Sequence, residues 1–210
     1  MALILMESFT PAPAGATPYA NKLNLSTQPV ISPGRTGDGG KGQYGWDLAS
    51  TEWHATCIYG VAIKPRNDLT LGQVLPLLVL YSDPAGGAAD KIGTLQQVVT
   101  NNANSACRLR WLNAAGTQVA TTPNDIIDSS GYYYVEVKVF VHATAGTVEI
   151  RTNEVSRVAV TGLDTRPSSG VTTVKRVLFG AGDGTTPIDD VYFCNGAGAT
   201  NNDFLGDVEI

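Results

Sequence analysis

From Tyr132 to His142 one side of the chain carries Tyr132, Tyr134, Glu136, Lys138, Phe140 and His142 at every second position. A strand turns alternate residues to one face, so a carboxylate, an ammonium and several aromatic rings share that surface. Glycoside hydrolysis on such a face needs two carboxylates at a set separation. The same-face neighbours of Glu136 are Tyr134 and Lys138, so the pair is missing and no enzyme is expected. Aromatics flanked by charges instead suit sugar stacking or a protein interface. Arg108 and Arg110, which point outward from a second strand, are read as part of this candidate ligand or partner face. In the alternative reading a second layer of the same chain covers it, with residues 10–40 as the candidate cover.

Other chemistry is thinner. Asp189-Asp190 is a weak candidate for calcium, a site that needs six or more oxygens; Asp183, Asn202 and Asp203 are near in sequence. The competing reading has one carboxylate accepting backbone or arginine hydrogen bonds at a strand end and the other solvated. The histidines are His54 and His142, and neither lies near a G-x-S-x-G elbow. Cys57, Cys107 and Cys194 are far apart with no C-x-x-C, so zinc is not expected and buried thiols are. No cofactor is required by anything in this set.

The elements that must position these residues are strands. Tyr133, Val135, Val137, Val139 and Val141 form a β-branched stripe behind the candidate face. Gly146 turns the chain, and Thr147 to Arg151 returns with Val148 and Ile150 inward. Glu149 comes back beside Arg151 or Lys138, where a cross-strand pair contributes about 0.2–1 kcal/mol. Upstream, Ala55, Cys57, Tyr59, Val61 and Ile63 share a face, and so do Cys107, Leu109 and Trp111. Val74 to Tyr81 is almost continuously apolar, with Pro76 at an edge or a strand start. Further strands are expected at 2–6, 42–48, 94–99, 117–121, 171–179, 188–194 and 204–210. In the last, Phe204, Val208 and Ile210 face in, and Asp207 and Glu209 out. Residues 10–40, rich in Pro, Gly and Thr, read as an extended segment or arm. Short strands between turn residues, with no repeat, point to a single all-β domain over residues 1–210, an antiparallel sandwich.

Bulk composition narrows the function classes. Hydrophobic residues are 43% and charged residues 16% of the 210, values of a globular core with a sparse charge coat. The net charge is −5 with no run of Lys or Arg, so nucleic acid is not an expected partner. The apolar run Ala2 to Met6 is too short for a membrane span or a signal peptide, so neither membrane insertion nor secretion is expected.

Three segments resemble bacteriophage virion proteins (tail, fibre or decoration components) with a concanavalin A-like, laminin-G-like jelly roll. They are Tyr132-Tyr133-Tyr134-Val135-Glu136-Val137-Lys138-Val139 with Gly146-Thr147-Val148-Glu149-Ile150-Arg151-Thr152-Asn153, then Ile188-Asp189-Asp190-Val191-Tyr192, and finally Asn201-Asn202-Asp203-Phe204-Leu205-Gly206-Asp207-Val208. The resemblance implies two antiparallel sheets with first and last strands adjacent. It also implies a non-enzymatic structural module on a phage particle, a head decoration or short tail component assembled in the host cytoplasm. The expected partners are other virion proteins and copies of itself, a trimer by symmetry. The alternative function is a carbohydrate-binding module for a host-surface glycan.

Overall fold

Alternating apolar residues need a covered face, and the chain supplies it by stacking two antiparallel sheets. In the computed structural model, residues 3–7, 30–33, 38–41, 44–180, 186–197 and 203–207 are described. Numbered along the chain, the eight-stranded sheet runs β12 (Val155–Leu163), β11 (Gly146–Thr152), β10 (Tyr133–Phe140), β5 (Thr56–Ile63), β14 (Pro187–Asn195), β3 (Asp38–Lys41) and β2 (Val30–Pro33), with β1 (Leu3–Glu7) also on β14. The facing sheet is β4 (Tyr44–Asp47), β13 (Arg176–Phe179), β6 (Val74–Tyr81), β7 (Lys91–Asn101), β8 (Ala106–Asn113) and β9 (Gln118–Thr121). β1 pairs antiparallel with β14, the last strand among the described residues, so the two ends of the fold meet in one sheet.

The core lies between the sheets, where the alternation placed it. Val135, Val137, Val139, Val148 and Ile150 come from one side, and Leu95, Cys107, Leu109 and Trp111 from the other, all buried. Cys57, Tyr59, Val61 and Ile63 of β5 join the same cluster. Burial pushes the thiols of Cys57, Cys107 and Cys194 up to about 12, and none is in a disulfide. Pro76 lies in an interior strand, but β13 pairs only with Leu78–Tyr81 of β6. The N–H that proline lacks therefore falls where no β13 partner is waiting.

Three expectations are corrected. Residues 203–207 are not strand, so the closing strand read over 204–210 does not form there; its remaining residues, 208–210, lie outside the described residues. The 10–40 segment is not wholly irregular, because β2 and most of β3 fall within it; its other residues lie outside the described ones. And β12 is a strand that periodicity missed: every one of its side chains is exposed or half-buried, and its apolar contact with the core is limited to Val158, Val160 and Leu163.

Candidate functional site

The face around Glu136 is built as rows across the eight-stranded sheet. Tyr192 of β14 is opposite Gly60 of β5, Gly60 is opposite Glu136 of β10, and Glu136 is opposite Arg151 of β11. Because Gly60 has no side chain, the Tyr192 ring lies across it and its hydroxyl donates to Glu136 Oε1. The next row sets Tyr134 beside Tyr192, ring centroids 6.3 Å apart, with the Tyr134 hydroxyl donating to the Asp190 carbonyl at 3.0 Å. On the other side Lys138 is opposite Glu149, whose Oε1 accepts from Arg151 Nε at 2.8 Å.

This face is roofed by the chain itself. The cover comprises residues 203–207. Asp203 pairs with Lys138 Nζ at 3.0 Å, and the Arg151 guanidinium lies 3.9 Å from the Phe204 ring centroid. Leu205 N–H donates to the Tyr192 hydroxyl at 3.1 Å, Gly206 N–H to Glu136 Oε1 at 3.0 Å, and Asp207 N–H to Glu154 Oε1 at 3.2 Å. Phe204 and Leu205 pack on a small second core of Ile58, Ala62, Tyr134, Tyr192 and Cys194. Tyr134 is left 1% exposed and Glu136 0%, so neither presents a surface to a sugar. Phe140 is half-buried and stacks on His142 at 5.5 Å.

Burial raises the Glu136 carboxyl above its ordinary 4.5; the Tyr192 hydroxyl, the Gly206 N–H and Arg151 oppose the rise, and Glu154 adds to it. Burial, and then the Glu136 charge, keep Tyr134 and Tyr192 protonated as donors. Between 4.5 and its raised value Glu136 holds a proton in the folded state that the unfolded chain has released. Its contribution to stability therefore falls as pH rises through that window. Relative to wild type, Glu136→Gln is expected to gain stability on going from pH 4.5 to neutrality in urea unfolding. A difference independent of pH would contradict this assignment.

The other sequence candidates separate. Arg108 and Arg110 are on β8, in the opposite sheet, and cannot share a face with Tyr132, Tyr134, Glu136, Lys138 and Phe140. Alternation correctly turned them outward, but a sandwich has two outer faces. Asp189 and Asp190 are 1% and 0% exposed, so neither is the solvated partner expected of the pair. Asp190 N–H donates to Asp189 Oδ1 at 3.0 Å, at a bulge where Asp190 has φ of 46°. Burial, helped by these two charges, pushes the Tyr132 phenol up to about 12.

An open cleft of about 460 Å3, lined by both polar and apolar groups, lies at one end of the eight-stranded sheet. Lys64, Arg66, Asn67 and Asp68, which follow β5, form one wall, and Ser129 and Pro187 close it. Lys64 N–H bonds the Pro187 carbonyl at 3.3 Å, tying the wall to the start of β14. Arg66 grips Asp68 through two bonds, Nε to Oδ1 at 2.8 Å and Nη2 to Oδ2, which fixes both groups in one plane. The cleft presents amide, hydroxyl, guanidinium, ammonium and carboxylate groups within the volume of a ligand pocket. Asp68, the carboxylate of the cleft among the described residues, is held by Arg66.

The chain matches no protein-family model and no curated protein. Solved structures match its fold. The binding domain of Paraclostridial Mosquitocidal Protein 1 superposes with a TM-score of 0.57 at 12% identity, over 92% of this chain and 48% of that one. The receptor binding domain of botulinum neurotoxin mosaic serotype C/D gives 0.55 at 12%, over 92% and 47%. Alginate lyase vAL-1 from Chlorella virus gives 0.51 at 6%, over 83% and 89%. The fold is a concanavalin A-like jelly roll. This chain spans about half the length of the two toxin domains, and at these identities the likeness is one of fold.

On this jelly roll, two features escaped the sequence reading. The lone glycine in the apolar run of β5 signals close approach of another group, and that group is the Tyr192 ring. The cleft is carried by Lys64-Pro65-Arg66-Asn67-Asp68, whose composition reads as an ordinary turn.

Proposed function

We propose that the protein is a non-catalytic carbohydrate-binding module whose sugar site is the cleft lined by Lys64, Arg66, Asn67, Asp68 and Ser129. The cleft carries the reading. It is open, sized for one or two sugar rings, and presents donors and acceptors side by side, as vicinal hydroxyls require. The Arg66–Asp68 fork is held before any ligand arrives, which lowers the ordering cost of binding. Likeness of fold to two binding domains, and to a lyase named for a polysaccharide, supports a ligand of this class. The three structures named above include no phage protein. The particle surface expected from the sequence enters only as the place where such a module would meet a host glycan.

Screening against an oligosaccharide panel tests this. At least one neutral oligosaccharide should bind without being cleaved, and Arg66→Ala with Asn67→Ala should weaken it by about tenfold or more, as loss of charge-assisted hydrogen bonds does. Absence of any glycan ligand, or binding indifferent to these changes, would remove the proposal. Turnover of a bound polysaccharide would make the module an enzyme.

A further inference from the structure

The outer face of the six-stranded sheet holds a pair of arginines with no acidic partner among the described residues. Arg66, Arg151, Arg166 and Arg176 each stand beside a carboxylate. Arg108 and Arg110 do not, among the described residues, although acidic residues outnumber basic ones by 19 to 14 in the chain. Both are on β8 and point away from the core that Cys107, Leu109 and Trp111 enter. Alternation puts them on one side, about 6.6 Å apart along the strand. Arg110 is opposite Gln96 on β7 and Thr121 on β9, and its Nε donates to Gln96 Oε1 at 2.9 Å. That bond anchors the guanidinium by its inner nitrogen and leaves the fork of Nη1 and Nη2 for another acceptor. Arg108 is opposite Val98, which offers no acceptor, and its Nε is buried with no hydrogen-bond partner. A pair of like charges side by side on one strand face is destabilising. An anion bridging the two forks of Nη1 and Nη2 relieves that repulsion.

We infer that Arg108, Arg110 and Gln96 form a second subsite, for sugar carboxylates, so that the glycans this module takes include acidic ones carrying uronic acid. This rests on the reading of the protein as a glycan-binding module. A planar carboxylate matches the guanidinium fork by two parallel bonds, while the Gln96 side-chain NH2, whose amide oxygen Arg110 holds, lies alongside as a donor to ring hydroxyls. A densely charged polyanion such as nucleic acid fits poorly, since the chain is net negative and the cationic patch is two residues long.

Calorimetric titration with an alginate oligosaccharide, alongside a neutral β-glucan oligosaccharide, tests the inference on the whole chain. The acidic ligand should bind, more weakly as salt rises, and Arg108→Gln with Arg110→Gln should reduce its affinity by about tenfold or more. Phenylglyoxal modification mapped by mass spectrometry gives a second readout that needs no variant: the alginate oligosaccharide should protect Arg108 and Arg110. Protection of Arg66 alone would overturn this subsite while leaving the cleft standing. Failure of the acidic ligand to bind would overturn the subsite whatever the neutral glycan does, and loss of neutral binding alone would fall on the cleft.

Discussion

Trp111→Ala is expected to lower the free energy of unfolding by about 3–5 kcal/mol, the usual cost of deleting a large buried aromatic. Trp111 is 1% exposed and opposite Leu95 of β7 and Ala120 of β9. Its indole fills a space that its neighbours keep open. A Cβ on Gly93 would fall 2.4 Å from the ring, and Ala120, 4% exposed, is small. Glycine and alanine cannot expand into the gap, so the surrounding strands collapse only in part and a cavity remains. Against a total stability of about 5–15 kcal/mol for a domain, this change alone removes a large share. A urea midpoint shifted with unchanged slope measures it; a loss below about 1 kcal/mol would mean that the sheets repack around the site.

Gly60→Ala should be costly for the opposite reason. The added Cβ would lie 2.1 Å from Tyr192 Cε1 and 2.7 Å from Cδ1 and Cζ. The ring has little freedom to withdraw, because its hydroxyl is bound to Glu136 and to the Leu205 N–H, and Tyr134 stacks beside it. Overpacking of this kind costs about 1–3 kcal/mol or more, and here it also displaces the hydroxyl donor of Glu136, leaving it the Gly206 N–H. If the clash with Tyr192 is the cause, Tyr192→Ala should relieve part of it, so that the double variant loses less than the sum of the two single losses. Simple additivity, or a silent Gly60→Ala, would show that the ring does not depend on that glycine.

The same row shows how far the sequence carries. Strands with one face in the core were readable: β5, β8, β10 and β11 alternate because every second residue meets the opposite sheet. Outward faces were not. The face of Tyr134 and Glu136 reads either as a ligand or partner surface or as one covered by a second layer of the chain; both residues are buried, and the cover is 203–207 rather than the 10–40 segment named for it. Local periodicity treats Phe204 and Leu205 as strand residues, since a cap on a sheet and a strand within one bury the same side chains. Arg108 and Arg110 were turned the right way but joined to the wrong face, because alternation fixes in or out and not which sheet is which. The cleft was invisible for a simpler reason: its walls come from residues 64–68, 129 and 187, which only the register of β5, β10 and β14 brings together.

The most direct test of the central claim is an NMR titration of the isotope-labelled chain with the neutral oligosaccharide that binds best in the panel. The account predicts saturable amide shifts concentrated at residues 64–68 and 129. Shifts confined to other parts of the sandwich, or none with any saccharide tried, would contradict it.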